Sequence, residues 1–496
     1  MSDSSGCILA LDQGTTGSTA LVVAQDGRIL GRGYREITQS YPAPGEVEHD
    51  ANEILEKTLA AGRDAISAAK RIPDAIGITN QRETVVCWDR TTGQPTGPAI
   101  VWQDRRTAAR CAELATKAEW IYDRTGLFPD PYFSATKLEL ILSRPREASL
   151  VSRGNLLAGT VDSWLIWKLT GGKVHATEPS NASRTMLFDI GTMEWSAELC
   201  ELFSVPTTVL PQVRESSGDF GRVLPEFFGA PIPIRGVAGD QQAALFGQGC
   251  WRSGEAKNTY GTGAFLMVNT GMTRPASARE RGLLTTVGCN ETGKPAYALE
   301  AAIFIAGAAV QWLRDGLGII TAAKETEEMA RSVESNGGVY FVPALAGLGA
   351  PHWQPEARGT IVGITGGTRR EHLVRATLEA MAYSTADIFE SLSEASGASF
   401  SKIRVDGGAS ANDWLMQFQA DVLGIPVERP EMIETTASGA AGLAGLAAGI
   451  WTSADDFLKT RRFRSFEPAS GGTTGPNLAE WRRAVRAALS WAEDGK

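Results

Sequence analysis

Short apolar runs separated by small polar clusters open the chain. Residues 8–11 are apolar, residues 12–16 are polar, and residues 20–24 are apolar again. β-friendly runs of this length, bounded by Gly, Asp and Thr, are typical of strands joined by tight turns. An Asp-Gly pair follows as a further hairpin signal. The pattern therefore predicts a three-stranded antiparallel meander over residues 8–34.

The same sequence of strand, Gly/Thr turn and strand starts again near the middle of the chain. Residues 257–260 and 264–269 have the pattern of strands, and Gly and Thr fill the turn between them. This repetition, with helices between the strands, predicts two α/β domains of related topology, residues 1–253 and 254–496. Helices are predicted over residues 50–69, 105–118, 134–142, 241–247, 307–314, 371–396 and 436–448, and an amphipathic helix is predicted around 481–491. Further strands are predicted over residues 75–78, 85–88, 99–102, 359–364 and 403–406.

Composition narrows the class of protein. The 496 residues are 43% hydrophobic and 21% charged, as in a soluble globular protein of two large domains. The net charge of -9 and the lack of a Lys/Arg-rich block argue against a nucleic-acid partner. No apolar run approaches the ~20 residues of a membrane span, so no membrane insertion is expected. Six cysteines without CxxC spacing and a start without signal-peptide features predict a reducing, cytoplasmic setting.

Three Gly-rich turns follow predicted strands, at residues 12–16, 261–263 and 406–410. Exposed backbone N–H groups beside hydroxyl side chains suit an anion such as a phosphate, and Asp12 at a strand end suits Mg²⁺. For any one of them taken alone, an ordinary hairpin turn is the favoured explanation. Three such turns, distributed over both halves, indicate a nucleotide held in the cleft between the domains. The chain has neither the P-loop pattern nor GxGxxG.

Two polar segments offer acid–base and hydroxyl-binding groups. Asp240 precedes an apolar helix, where it is either an N-cap or a carboxylate that accepts a proton from a substrate hydroxyl. Arg82 and Glu83 follow a predicted strand. The segment is either an ordinary loop or a site where the two charged side chains bind the hydroxyls of a polyol. Neighbours on a flat strand face opposite sides, so the second use requires a turn there. Trp102 and Phe265 are either core aromatics or an apolar wall against substrate carbons.

The motifs of this chain resemble those of the FGGY carbohydrate kinases over nearly its whole length. The resemblance implies two actin-like (ribonuclease-H-like) ATPase domains with a cleft between them, ATP and Mg²⁺ as cofactors, and glycerol as substrate more than a pentulose or gluconate. The matching segments are LDQGTT (11–16), GITNQRET (77–84), IVWQ (100–103), DPYFS (130–134), NASRTMLF (181–188), AGDQQAALFGQ (238–248), KNTYGTG (257–263) and VDGGASAN (405–412).

The resemblance also implies roles for individual residues, carried over position by position. The resemblance implies that Asp240 is the general base for the terminal hydroxyl of glycerol and that Asp12 is the carboxylate on the Mg²⁺ side. The groups implied for the hydroxyls and the apolar wall are Arg82, Glu83, Tyr132, Gln241, Trp102 and Phe265. The positions implied for the phosphates and the rest of the nucleotide are Gly14, Thr15, Thr16, Thr262, Gly263, Gly307, Gln311, Gly408 and Asn412.

The chain departs from the family pattern in two ways that bear on function. The members of the family that act on glycerol usually carry an Arg where this chain has Thr19, which removes a cation expected near the transferred phosphoryl group. Residues 225–233 lack the loop that binds fructose 1,6-bisphosphate in some relatives and contain no His for activation by phosphorylation, so we expect neither regulation. The alternatives are a kinase for another polyol, such as erythritol or a pentulose, and a non-catalytic actin-like sensor. A homodimer or homotetramer is expected.

Overall fold

Two mixed β-sheets of related order carry the two halves of the chain, in a computed structural model that describes residues 6–276, 278–469 and 477–493. In each sheet an antiparallel meander is followed by parallel strands beside its first strand. The predicted meander and its repetition are confirmed. The first sheet runs Ile234–Gly239, Ala75–Asn80, Cys7–Gln13, Gly17–Ala24, Ile29–Glu36, and the second runs Leu284–Cys289, Pro295–Ile303, Ala264–Gly271, Ala256–Tyr260, Ile403–Asp406, Val427–Pro430, Phe463–Phe466.

Smaller sheets flank these two. A four-stranded sheet contains Glu48–His49, Ala99–Ile100, Val85–Asp89 and Leu156–Thr160. Two-stranded pairs join Phe188–Asp189 with Glu194–Trp195, Gln212–Val213 with Ala176–Thr177, and Tyr340–Val342 with Thr360–Val362. The last strand is shorter than the predicted 359–364, because Gly363 with φ 80° ends it.

The helices match most of the predictions within a few residues. The prediction of one helix over 105–118 is wrong, because the helix ends at Glu113 and a 3₁₀ turn spans Leu114–Lys117. The helix begins only at Ala108, because Asp104 accepts from the backbone N–H groups of Val47 and Arg106 and fixes a turn before it. The α-helices are Ala51–Ala69, Ala108–Glu113, Ala118–Thr125, Ala135–Leu142, Pro145–Ser152, Val161–Leu169, Pro179–Ala182, Ala197–Leu202, Pro225–Phe228, Asp240–Gly247, Gly307–Asp315, Glu325–Arg331, Arg370–Ser396, Asp413–Leu423, Thr435–Ala447, Ala454–Lys459 and Leu478–Glu493, and 3₁₀ turns span Leu114–Lys117, Thr207–Val209, Arg279–Arg281 and Gly408–Ala411.

One helix from the C-terminal half packs directly against the first sheet. In Thr435–Ala447 the carbonyl of Ala440 lies so close to Gly77 that a Cβ there would be 2.2 Å from its oxygen. A Cβ on Gly439 would lie 1.8 Å from the carbonyl oxygen of Ala243. These glycines are required for the close approach, which places helix Asp240–Gly247 at the junction of the two halves. No helix in the described part of the chain is long and apolar enough to cross a membrane.

Candidate active site

The loop after strand Ala75–Asn80 turns sharply and brings two neighbouring charged side chains together. Glu83 has φ 62°, a left-handed conformation that is uncommon for a residue with a side chain. Arg82 and Glu83 are 2% and 1% exposed, and both reach the same buried cluster of ions. The turn that polyol binding requires at this loop is therefore present.

Hydrogen bonds from distant segments hold this loop in place. The side-chain amides of Asn80 and Asn181 exchange two hydrogen bonds of 3.0 Å. Ser134 Oγ donates to the carbonyl oxygen of Glu83 at 3.0 Å. Thr84 Oγ1 donates to Gln81 Oε1 at 2.9 Å. The strained backbone at Glu83 is thus fixed by its surroundings, as expected at a functional site.

A buried network of ions surrounds Arg82. Its Nη1 and Nη2 donate to the two carboxylate oxygens of Glu300 at 2.7 and 3.1 Å. Arg184 donates to Glu83 Oε1 at 2.6 Å and to Glu300 Oε1 at 3.1 Å. Although burial alone raises the pKa of Glu300, the charges of Arg184 and Arg82 lower it to about 2. Glu300 belongs to the second sheet, so the network joins the two halves of the chain.

Asp240 is the first residue of its helix and lies beside this network. The N-cap position belongs to Gly239, and Asp240 Oδ1 accepts from the N–H of the next residue, Gln241, at 2.7 Å. Its Oδ1 is 3.3 Å from Arg82 Nε. Burial raises the pKa of Asp240 against the opposing effect of the Arg82 charge. A half-buried carboxylate with a raised pKa suits a proton acceptor better than a simple helix cap.

A lysine from the second sheet reaches the residue after Asp240. Lys257 Nζ donates to Gln241 Oε1 at 2.5 Å and to Thr259 Oγ1 at 2.7 Å. Burial lowers the pKa of Lys257, opposed by the charges of Asp406 and Asp240. The second half of the molecule therefore supplies a cation beside the predicted general base.

Three aromatic side chains lie around these polar groups. The rings of Trp102 and Tyr132 meet edge-on with centroids 5.6 Å apart, and Arg82 Nη2 donates to the Tyr132 hydroxyl at 3.4 Å. Phe265 is the cross-strand partner of Thr259 in the second sheet. Trp102 and Phe265 are half-buried, so both keep surface free for a ligand. Trp102 Nε1 donates to Thr15 Oγ1 at 2.9 Å, which connects the apolar wall with the first Gly-rich turn.

The first Gly-rich turn places Asp12 opposite Asp240. Gly14 N–H donates to the carbonyl of Gly17 at 2.9 Å and closes the turn, leaving Thr16 exposed. Burial and the charge of Asp240 raise the pKa of Asp12 to about 7. No hydrogen bond or ion pair engages its carboxylate within residues 6–276, 278–469 and 477–493. The carboxylates of Asp12 and Asp240 are neighbours, and that of Asp12 has no cationic partner among the described residues. This arrangement fits Mg²⁺, which takes its other ligands from phosphates and water.

A buried histidine, His49, contacts the side chain of Gln81, which in turn holds Gln13 next to this turn. Gln81 Nε2 donates to Gln13 Oε1 at 3.1 Å and lies 3.4 Å from His49 Nδ1. Burial lowers the pKa of His49 from 6.5 to about 4. The imidazole is therefore neutral in the folded protein near pH 7, which leaves Nδ1 able to accept from the amide of Gln81.

The lowered pKa of His49 predicts acid sensitivity. Between pH 6.5 and pH 4 the unfolded chain binds a proton at His49 that the folded chain does not, so stability falls as the pH falls. Over the whole window the loss approaches about 3 kcal/mol. Denaturant unfolding at pH 7 and pH 4.5 should show a smaller drop for His49→Gln than for the unchanged protein. An equal drop in both proteins would contradict this role of His49.

The second Gly-rich turn and its neighbours gather at the same end of the second sheet. The carbonyl of Thr262 accepts from the N–H groups of Ala306 and Ala308, and that of Gly261 from Gly307, at 2.8, 3.0 and 3.0 Å. Gly263 completes this turn, and Gln311 lies exposed on the helix that begins at Gly307.

The third turn lies against the second. A Cβ on Gly407 would be 2.3 Å from the carbonyl oxygen of Tyr260, and Gly408 is exposed beside it. Asn412 caps the next helix by accepting from Leu415 N–H at 2.9 Å. The structure therefore brings those nucleotide positions that belong to the second half of the chain to one end of the second sheet, while Gly14, Thr15 and Thr16 lie in the first Gly-rich turn. The positions expected to hold the substrate lie at the junction of the halves.

Three charged residues of this site were not singled out from the sequence. Glu300, Arg184 and Lys257 are buried at 2%, 0% and 0% exposure. Glu300 is a lone carboxylate inside the apolar run ALEAA, and a charge in a buried strand is the signal that could have found it. Arg184 and Lys257 belong to motifs already noted, but nothing local distinguishes them from surface charges.

The two sheets, their Gly-rich turns and the buried carboxylates between them define a kinase of the actin-like (ribonuclease-H-like) class. Models of the FGGY family of carbohydrate kinases match the chain at residues 7–247 for the N-terminal domain and 256–448 for the C-terminal domain. The chain belongs to the FGGY family of carbohydrate kinases. The boundary between residues 253 and 254 stays a prediction.

Named relatives and solved structures agree with this assignment. The glycerol kinase of Dechloromonas aromatica is 52% identical over 494 residues, which cover 98% of each chain. The glycerol kinase of Pseudothermotoga lettingae is 54% identical over 495 residues, 98% of this chain and 99% of that one. The glycerol kinase of Plasmodium falciparum, solved with ADP, superimposes with a TM-score of 0.92 at 36% identity over 98% of both chains. A xylulose kinase from Lactobacillus acidophilus shares the fold, with a TM-score of 0.84 at 18% identity.

Proposed function

We propose that this protein transfers the γ-phosphoryl group of ATP to glycerol and forms sn-glycerol 3-phosphate. The observation that carries the proposal is the position of Asp240. Its carboxylate lies 3.3 Å from Arg82 Nε, beside the groups proposed to bind hydroxyls and close enough to a second carboxylate, Asp12, to raise the pKa of that group. The identity of 52% with a glycerol kinase over nearly the whole chain supports glycerol as the substrate.

The proposed roles at the substrate follow from the chemistry of each group. Asp240 accepts the proton of the terminal hydroxyl as that oxygen attacks phosphorus, and its raised pKa makes it a better base than an exposed aspartate. Arg82 donates to substrate oxygens and Glu83 accepts from substrate hydroxyls. The remaining proposed contacts are Tyr132 and Gln241 for hydroxyls, and Trp102 and Phe265 for the carbon chain.

The nucleotide is proposed to lie in the cleft and to contact Gly-rich turns from both halves of the chain. Gly14, Thr15 and Thr16 would bind phosphate oxygens from the first half. Mg²⁺, when bound on the Asp12 side, would neutralise charge on the phosphates. The positions proposed for the second half are Thr262 and Gly263 at the phosphates, and Gly307, Gln311, Gly408 and Asn412 around the rest of the nucleotide. Exclusion of water by the two halves would limit hydrolysis of ATP.

Thr19 is the position at which we expect a gain of activity. It is the cross-strand partner of Asp12, so its side chain faces the same side of the sheet as that carboxylate. Thr19→Arg should raise kcat by about tenfold or more, because a guanidinium would stabilise charge on the transferred phosphoryl group. Thr19→Gln adds length without charge and should leave kcat within about threefold. An unchanged kcat in Thr19→Arg would show that the phosphoryl group already has its cation.

A panel of polyols tests the proposed substrate. Glycerol, erythritol and a pentulose are each supplied with ATP and Mg²⁺, and kcat/KM is measured for each. We expect the highest kcat/KM for glycerol. If glycerol is among the poorest substrates, the proposal fails in favour of another polyol, and if no polyol is phosphorylated, a sensor role replaces it. Assembly as a homodimer or homotetramer and a cytoplasmic location stay predictions.

A further inference from the structure

Glu300 is a buried carboxylate that the proposed mechanism leaves without a role. It lies in the middle of strand Pro295–Ile303 of the second sheet and is 2% exposed. Its carboxylate contacts Arg82 and Arg184, both of which belong to the first half of the chain. A carboxylate buried this deeply is costly unless it is paired, so its position demands an explanation.

The contacts of Glu300 fix which edge of Arg82 is free. The Glu300 carboxylate accepts hydrogen bonds from Nη1 and Nη2 of Arg82 at 2.7 and 3.1 Å. This bidentate arrangement sets the plane of the guanidinium. Nη1 also donates to Gln242 and Nη2 to Tyr132. Nε has no hydrogen-bond partner among the described residues and lies 3.3 Å from Asp240 Oδ1. The clamp on the Nη side therefore leaves the Nε edge facing the proposed general base.

The same contacts offset the positive charge of Arg82, which makes its guanidinium a poorer site for an anion. In the described part of the chain three carboxylates approach its guanidinium, those of Glu300, Asp240 and Glu83, at 2.7, 3.3 and 3.7 Å. A carboxylated substrate that reached Arg82 would meet these negative charges at short range. Repulsion of the wrong ligand is a common source of specificity.

We propose that Glu300 is a positioning and specificity-determining residue, which orients Arg82 from the opposite half of the molecule and keeps the site selective for uncharged polyols. The inference rests on the proposed function, because Arg82 acts there on the substrate. Glu300 acts through Arg82, and Arg184 extends the clamp by joining Glu300 to Glu83. The ligand class that Glu300 excludes is the small hydroxy acid.

Two variants of Glu300 separate its charge from its geometry. Glu300→Gln keeps the shape and removes the charge, and we expect the KM for glycerol to rise by about tenfold or more, with the KM for ATP within about threefold. D-glycerate, measured as a competitor of glycerol, should show a Ki at least about tenfold lower than with the unchanged protein. Glu300→Asp keeps the charge on a shorter side chain, so the KM for glycerol should rise while D-glycerate stays excluded.

A matched control uses another ion pair that joins the halves away from the site. Glu434→Gln removes the pair between Arg32 and Glu434, whose atoms lie 3.3 Å apart, and should leave the KM for glycerol and the Ki of D-glycerate unchanged. A Glu300→Gln protein with an unchanged KM for glycerol, or with D-glycerate still excluded, would overturn the inference. If Glu300→Gln does not fold, an unchanged KM for glycerol in Glu300→Asp overturns it equally. Failure of the unchanged protein to phosphorylate glycerol would instead count against the proposed function.

Discussion

Replacing Asp240 with Asn should lower kcat by about 10²–10⁴-fold, because the variant loses the group that accepts the hydroxyl proton. The affinity for glycerol should stay within about threefold, since the side chain keeps its shape and an oxygen that can accept from Gln241 N–H. Steady-state kinetics give kcat, and calorimetric titration of glycerol gives the Kd. A loss in kcat without a loss of affinity is the signature of a group that acts in the transition state.

The control for this prediction is a carboxylate far from the cleft. Asp219 is exposed and its Oδ1 lies 3.6 Å from Arg235, so Asp219→Asn should change neither kcat nor the Kd of glycerol. Unchanged turnover in Asp240→Asn would remove Asp240 from the role of base. In that case the alternative role at the start of helix Asp240–Gly247 would account for the residue.

Replacing Arg82 with Met should affect both folding and binding. The change leaves Glu300 and Glu83 buried with Arg184 as their remaining guanidinium, and breaking a buried ion pair from one side costs about 3–5 kcal/mol. The free energy of unfolding should fall by about that amount. The affinity for glycerol should fall by about 100-fold or more, because hydroxyl oxygens lose a charged donor.

Denaturant unfolding and calorimetric titration of glycerol check these two effects of Arg82→Met. The control is Arg314→Met, which removes an exposed guanidinium that pairs with the adjacent Asp315 and should change neither quantity by a measurable amount. Full stability together with an unchanged Kd of glycerol in Arg82→Met would contradict the account of the buried network.

The elements that the sequence predicts well are those with local signals. The meander within residues 8–34 and its repetition from residue 257 follow from turn residues and short apolar runs, which act over a few positions. The predicted start of a helix at residue 105 is wrong for a non-local reason, because Val47 N–H donates to Asp104 Oδ2 at 2.7 Å and the chain turns there. A contact with a residue so distant in sequence leaves no periodic pattern.

The residues of the candidate site also fall into those with a local sequence signal and those placed by contacts distant in sequence. Arg82, Glu83 and Asp240 belong to compact polar motifs, so the sequence identifies them, but the two readings of Asp240 differ only in what its carboxylate faces. The distance of 3.3 Å between Asp240 Oδ1 and Arg82 Nε supports the proposed role as a proton acceptor. Glu300 reaches Arg82 across 218 positions of the chain, so its part in the site follows from the pairing of strands and not from any motif.

In the proposed reaction the γ-phosphoryl group of ATP moves to glycerol with Asp240 as the base. The most direct measurement is ³¹P NMR of the protein with ATP, Mg²⁺ and glycerol, with Asp240→Asn in parallel. The γ-phosphorus resonance of ATP should be replaced by that of one product, sn-glycerol 3-phosphate, and the variant should form this product at least about 100-fold more slowly. Release of inorganic phosphate without a glycerol phosphate, or equal rates in the two proteins, would contradict the account.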